Sequence, residues 1–250
     1  VSDELTIVSV NVSKPKVLLR WPGGDVISAI DKQPVDVGHL DLTQVNLDGD
    51  EQADTRPTPG GGQVHGGPHA AVYAFPSEHL PRISELVGGV VGPGFMGENV
   101  TTRGVDENDA CIGDVWRWGD ALLQISAPRG PCYKLGIRMG KQALRTAVRE
   151  ETLVGWYLRV LAPGRVPATG RIVVEERHPA RISVAEVQRA INDRRTAYPH
   201  LSRHLRRRTR TRLKGPVPDR PGRIVALQAV KSRSWSSSRW ASNSVHMWST

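Results

Sequence analysis

Short runs of β-branched and aromatic residues, each closed off by glycine, proline or aspartate, constrain this chain more than any other feature. Leu5–Val12 and Val26–Ile30 show the pattern, and Val115–Trp118, Ala121–Ser126, Trp156–Leu161 and Arg171–Glu175 read as further strands with turn residues nearby. Ala71–Phe75 is a further short apolar run. Many short strands joined by turn-rich links favour a β-barrel or sandwich. Gly119-Asp120 separates two of the runs by the two residues a tight hairpin needs. Asp31–Pro34 reads as a turn, and Thr58–Gly62 as a flexible connection.

Helical signals are fewer. Ser77–Leu86 predicts a helix with Ser77 as cap and Pro81 inside the first turn, ended by the glycines from Gly88 to Gly97. Leu135, Met139, Leu144 and Val148 give residues 134–150 a loosely helical apolar spacing. Ser183 followed by Glu186 is a capping box, in which each residue satisfies the other's orphan backbone donor. Gly92-x-Gly-x-x-Gly97 matches a dinucleotide fingerprint by letters alone. No βαβ pattern surrounds it, so it is set aside.

A chain of 250 residues buries a core without disulfides, and two cysteines make no disulfide framework. A reducing, cytoplasmic setting fits best. No apolar run reaches membrane-spanning length, and the first residues lack a basic stretch followed by an apolar one. The net charge of +9 is not spread evenly. Residues 194–250 hold 14 Lys/Arg against the single acid Asp219, so the preceding residues are net acidic. Clustered arginines followed by Trp235, Trp240 and Trp248 leave nucleic-acid contact open through this tail alone. The competing reading is a polar segment that buries too little apolar surface to order.

Cys132 lies in Ser126-Ala-Pro-Arg-Gly-Pro-Cys-Tyr133. Pro128 and Pro131 stiffen that loop, and Arg129 places a guanidinium near the sulfur. A neighbouring cation favours thiolate, the form that attacks electrophiles and binds soft metals; the plain alternative is a small buried hydrophobe. Cys111 has acids around it, in Asn108-Asp-Ala-Cys-Ile-Gly113, and reads as structural. Two cysteines with no Cys-x-x-Cys cannot build a four-thiolate zinc or iron–sulfur site. Asp50, Glu51 and Asp54 suit acid–base work or a hard metal, or serve as solvated loop charges and backbone caps. His65-Gly66-Gly67 puts an imidazole beside backbone that a ligand can approach closely. Gly97-Glu-Asn-Val-Thr101 offers an amide, a carboxylate and a hydroxyl, groups that also cap turns. Arg129 is either a surface cation or a bidentate anion clamp.

In order and spacing, these segments resemble the MOSC domain, named for the C-terminal domain of molybdenum cofactor sulfurase. The free-standing bacterial YiiM type is the nearest form. The motifs are Leu47–Asp54, Val64–Pro68, Ala71–Pro76, Gly92–Thr101, Ile112–Asp114, the Cys132 loop and Gly155–Leu161, and the likeness covers roughly residues 5–190. It implies a mainly β fold, a MOSC-type β-barrel with peripheral helices over residues 1–178. It also implies the start of a small helical domain at 179–202, with an Arg/Ser-rich tail at 203–250. By the same resemblance Cys132 ligates molybdenum, and Arg129, Asn99, His65 and Asp54 border the molybdenum cofactor (molybdopterin), Arg129 at its phosphate. The YiiM type continues its His-Gly-Gly run with Asp-Lys-Ala, whereas Pro68 is followed here by His69-Ala70-Ala71, so a family cation is missing. The implied activity is reduction of N-hydroxylated nucleobases or related N-hydroxy compounds, with electrons from a separate reductase. A molybdopterin or persulfide-sulfur carrier without turnover is the alternative.

Overall fold

Seven strands cannot close into a ring with every neighbour antiparallel, because alternating directions return to their start only after an even number. This chain closes such a ring with one parallel joint. The computed structural model describes residues 3–20, 22–53 and 65–197, with side chains described as far as residue 193. Its strands are β1 (Glu4–Val12), β2 (Lys16–Leu19), β3 (Val26–Ser28), β4 (Gln33–Pro34), β5 (His39–Leu42) and β6 (Val72–Pro76). They continue with β7 (Val100–Arg103), β8 (Val115–Trp118), β9 (Ala121–Pro128), β10 (Trp156–Ala162), β11 (Gly164–Pro167) and β12 (Gly170–Glu176). The barrel runs β12-β8-β9-β10-β6-β7-β1, and β1 pairs back onto β12. Only β6 and β7 run parallel, with Ala74 opposite Val100. The β-barrel expected from the sequence is therefore present, with four helices around it: α1 (Leu80–Val87), α2 (Tyr133–Arg138), α3 (Gln142–Glu150) and α4 (Val184–Ala197).

Parallel strands need a long crossover, whereas antiparallel ones need only a hairpin. Residues 77–99 make that crossover and carry α1 with them. Strand β6 is consequently buried on both faces. Val72 and Ala74 face the barrel core, which includes Trp116, Trp118, Trp156, Leu123 and Ile125. Tyr73 and Phe75 join a second cluster with Ile83, Met96, Leu135, Leu144 and Val148 under the helices. A strand covered on both sides reads as a continuous apolar run, which is the form of Ala71–Phe75 in the sequence.

Several local expectations hold and others change. The β8–β9 hairpin turns at Gly119-Asp120, with Trp118 opposite Ala121. At the start of α4, Ser183 N–H donates to Glu186 Oε2 at 2.7 Å and Glu186 N–H to Ser183 Oγ at 3.1 Å, completing the capping box. Ser77 caps nothing. It opens a 3₁₀ turn over Ser77–His79 that feeds α1, and its hydroxyl meets Glu78 instead. Residues 134–150 form two helices rather than one, because the chain turns left-handed at Gly140. Within Asp31–Pro34, Gln33–Pro34 forms the short strand β4 against Asn11–Val12. There Pro34 sits at an edge, where its missing N–H costs no ladder bond. The Gly92–Gly97 loop folds against Ile30 and Lys32 and leads into no βαβ unit. No helix among the described residues is long and apolar enough to cross a membrane. The tail expectations, from residue 198 onward, lie outside the described residues.

Gly155 joins the two layers. It has φ +60°, and a Cβ there would sit 2.3 Å from Ala74 O. Glu107, buried, accepts from Gly155 N–H at 2.6 Å and Val154 N–H at 2.9 Å. Gly155→Ala adds backbone strain to a clash with main chain that cannot rotate away. We expect a loss of roughly 3 kcal/mol in unfolding free energy, measured by urea denaturation. A change under about 0.5 kcal/mol would contradict this packing.

Candidate functional site

The loop after β9 delivers the sulfur. Arg129 N–H donates to Gly155 O at 3.1 Å, which fixes the strand end against β10. Three residues later Cys132, in extended conformation (φ −94°, ψ 172°), precedes the first turn of α2. The thiol is half-buried in a pocket that also gathers His65, Asn99, Arg129, Lys32, Asp50, Lys134 and Tyr157. Burial alone would disfavour thiolate at Cys132. A hydrogen bond with His65, the Arg129 charge and the Lys134 backbone N–H outweigh it and lower the pKa to about 6. At neutral pH the pocket therefore holds a thiolate.

Arg129 is 7% exposed and has no carboxylate partner among the described residues. Its guanidinium stacks over the Tyr73 ring at 5.0 Å from the centroid. Burial opposes its charge, and Tyr73, Tyr157 and Cys132 more than restore it. Tyr73 donates its hydroxyl to Val154 O at 2.9 Å, and burial pushes its own ionisation well up, so it remains a phenol. A buried guanidinium with no carboxylate partner among the described residues, on a pocket wall beside a thiolate, suits a further anion.

Asn99 lies at the pocket wall, but its amide is committed to protein. Oδ1 accepts from Tyr73 N–H at 3.1 Å, and Nδ2 donates to Asp50 Oδ2 at 2.8 Å and Asn11 O at 3.5 Å. It thus acts by holding Asp50. Of the three acids in the Gly49–Asp54 run, Asp50 is buried at the pocket, and Asp54 lies outside the described residues. Asp50 Oδ1 also accepts from Ser13 N–H at 2.8 Å and from the Lys32 ammonium. Gln52 ties this acidic run to the His-Gly-Gly run, accepting from Gly67 N–H at 2.6 Å.

Sequence reading named Asp50 among three candidate acids, but it missed Lys32, Tyr73 and Tyr157. Glu98, the carboxylate of the Gly97–Thr101 run, is fully buried, with Oε1 accepting from Gly94 N–H and Thr101 Oγ at 2.7 Å each. Burial pushes its carboxyl up. Cys111 is buried away from the pocket, and burial with Asp114 raises its pKa, in keeping with a structural thiol.

The MOSC domain family model matches residues 61–174. Protein YiiM of Escherichia coli (strain K12) is 39% identical over 170 residues, 65% of this chain and 69% of that protein. The chain belongs to the MOSC domain family, in its YiiM type. The crystal structure of YiiM from Geobacillus stearothermophilus superposes with a TM-score of 0.58 at 32% identity, over 74% of this chain and 82% of that one. A Gibberella moniliformis protein named Reductase is 34% identical over 177 residues, 69% of this chain and 30% of that protein. Lys32 and Asp50 precede the matched MOSC segment, yet the fold brings them to the same pocket.

The Cys132 thiol should react with iodoacetamide in cofactor-free protein with a pH midpoint near 6. Arg129→Ala should move that midpoint up by removing a charge that favours thiolate. A midpoint near 8.5, the value of an ordinary thiol, in both proteins would show that the pocket leaves the thiol unperturbed.

Proposed function

We propose that this MOSC protein is a molybdenum-cofactor-dependent oxidoreductase that reduces N-hydroxylated nucleobases or related N-hydroxy compounds. The observation that carries this reading is the Cys132 thiolate beside the buried Arg129 guanidinium in one pocket. Among the described residues no cluster of three or more His, Cys, Asp and Glu could hold a metal by itself. A metal that arrives with its own sulfur ligands needs only one soft protein donor, and Cys132 is that donor. Arg129 then suits the phosphate of the cofactor, and the donor set fits the group.

When bound, the cofactor supplies the two-electron chemistry of N–O reduction; binding, orientation and protons fall to the chain. Cys132 holds the metal, His65 orients the sulfur, and Arg129 anchors the anionic end. The Asp50–Lys32 pair and Tyr157 line the remaining wall. Electrons come from a separate reductase, and the relative named Reductase supports reductive chemistry for this domain.

Cys132→Ser replaces a soft donor with a hard one and should reduce molybdenum per chain and abolish donor-dependent loss of the N-hydroxy substrate. Cys111→Ser should retain at least partial activity. Transferable sulfur on wild-type protein without molybdenum would instead favour the carrier. Arg129→Ala should lower pterin and molybdenum content several-fold, with Arg129→Lys recovering only part, because lysine lacks the planar fork. Full loading of Arg129→Ala would exclude the clamp.

A further inference from the structure

Lys32 is 6% exposed, yet it lines the Cys132 pocket together with Asp50, which holds its ammonium. It is pinned there from behind. The Gly94 backbone packs so tightly on Lys32 O that a Cβ would lie 2.6 Å away. Asp50 takes one ammonium proton in a hydrogen bond. Asp50 is itself held on both oxygens, by Ser13 N–H at 2.8 Å and by Asn99 Nδ2 at 2.8 Å. An ammonium has three N–H donors. Asp50 is the one acceptor that Lys32 has among the described residues, so two donors remain. A buried charged donor without a partner is costly, and the pocket is where such a partner would sit.

We propose that Lys32 is a substrate-binding residue, and that its two remaining N–H donors take the hydroxyl oxygen of an N-hydroxy ligand. Asp50, Asn99 and Ser13 are its positioning residues. This assignment rests on the functional reading above and deepens it. Arg129 is reserved for the anionic end of the cofactor, so a second donor is needed for the oxygen that distinguishes an N-hydroxylated base from its amine. Charge-assisted hydrogen bonds to that oxygen give discrimination that an apolar wall cannot. A site built to hydrogen-bond a group leaves its donors unpaired when the group is missing.

The test is calorimetric binding of N6-hydroxyadenine and adenine to the purified protein as isolated, with molybdenum per chain measured and no electron donor present. No turnover then intervenes. Wild type should bind the hydroxylated base at least tenfold tighter than adenine. Lys32→Met should abolish that preference, while leaving adenine affinity and molybdenum content unchanged. Removing one partner of a buried ion pair strands the other, so the double variant Lys32→Met/Asp50→Asn gives the same readout if the single variant does not fold. Absence of the preference in wild type, or its survival in a folded variant lacking Lys32, overturns the proposal. So does loss of molybdenum with Lys32, which would assign the ammonium to the cofactor. Failure of the functional reading looks different: a Lys32-dependent preference in a protein that reduces no N-hydroxy compound when a donor is supplied.

Discussion

The parallel joint between β6 and β7 sets the terms for the rest of this structure. An odd ring must contain such a joint, and a parallel joint requires the chain to leave the sheet and cross over before it returns. Residues 77–99 do so, and the crossing chain must cover one face of β6 from outside. The result is a second apolar layer beside the barrel, with Tyr73 and Phe75 between the two. Tyr73 then bears the Arg129 guanidinium, and the end of the crossover presents Asn99 to Asp50. The pocket is thus a by-product of closing seven strands, placed where the barrel wall meets the crossover.

What could be read from the sequence was mostly what local interactions decide. The β8–β9 hairpin depends on two turn residues, and the α4 cap on two side chains three positions apart. Cys132 and Arg129 share one loop, so their relation was visible before any fold was known. The Asp50 contacts are different. Its partners Ser13, Lys32 and Asn99 lie 37, 18 and 49 positions away, and no local pattern says which acid of a loop is taken inside. The family likeness pointed to Asp54, which lies outside the described residues, and gave no sign that Asp50 is taken inside. The break at Gly140 and the idle Ser77 show the same limit on a smaller scale. Helical spacing gives the apolar face, while tertiary packing decides where each helix begins and ends.

The site also shows how burial and charge divide roles among similar groups. Cys111 and Cys132 carry the same chemistry, but one sits near Asp114 and the other near Arg129 and His65, and their ionisation moves in opposite directions. Asp50 and Glu98 are both buried carboxyls. Asp50 is saturated by donors that include a cation, whereas Glu98 Oε2 has no partner among the described residues and the group is pushed toward its neutral form. Asn99 turns inward to hold a neighbour, although its sequence context equally suited a ligand contact. In each pair the residue type fixes what is possible and the surroundings choose.

Trp116 and Trp156 meet edge to face in the barrel core, 5.6 Å apart at 89°. They belong to β8 and β10, which are separated in the sheet by β9. The two indoles therefore meet across the intervening strand β9, on the inner face of the curled sheet, rather than between paired strands. Optical coupling between the rings contributes to near-ultraviolet circular dichroism and reports on the packing of the barrel interior rather than on the hydrogen bonds of any one strand pair. The pair is thus a built-in reporter of how the inner face of the barrel is packed.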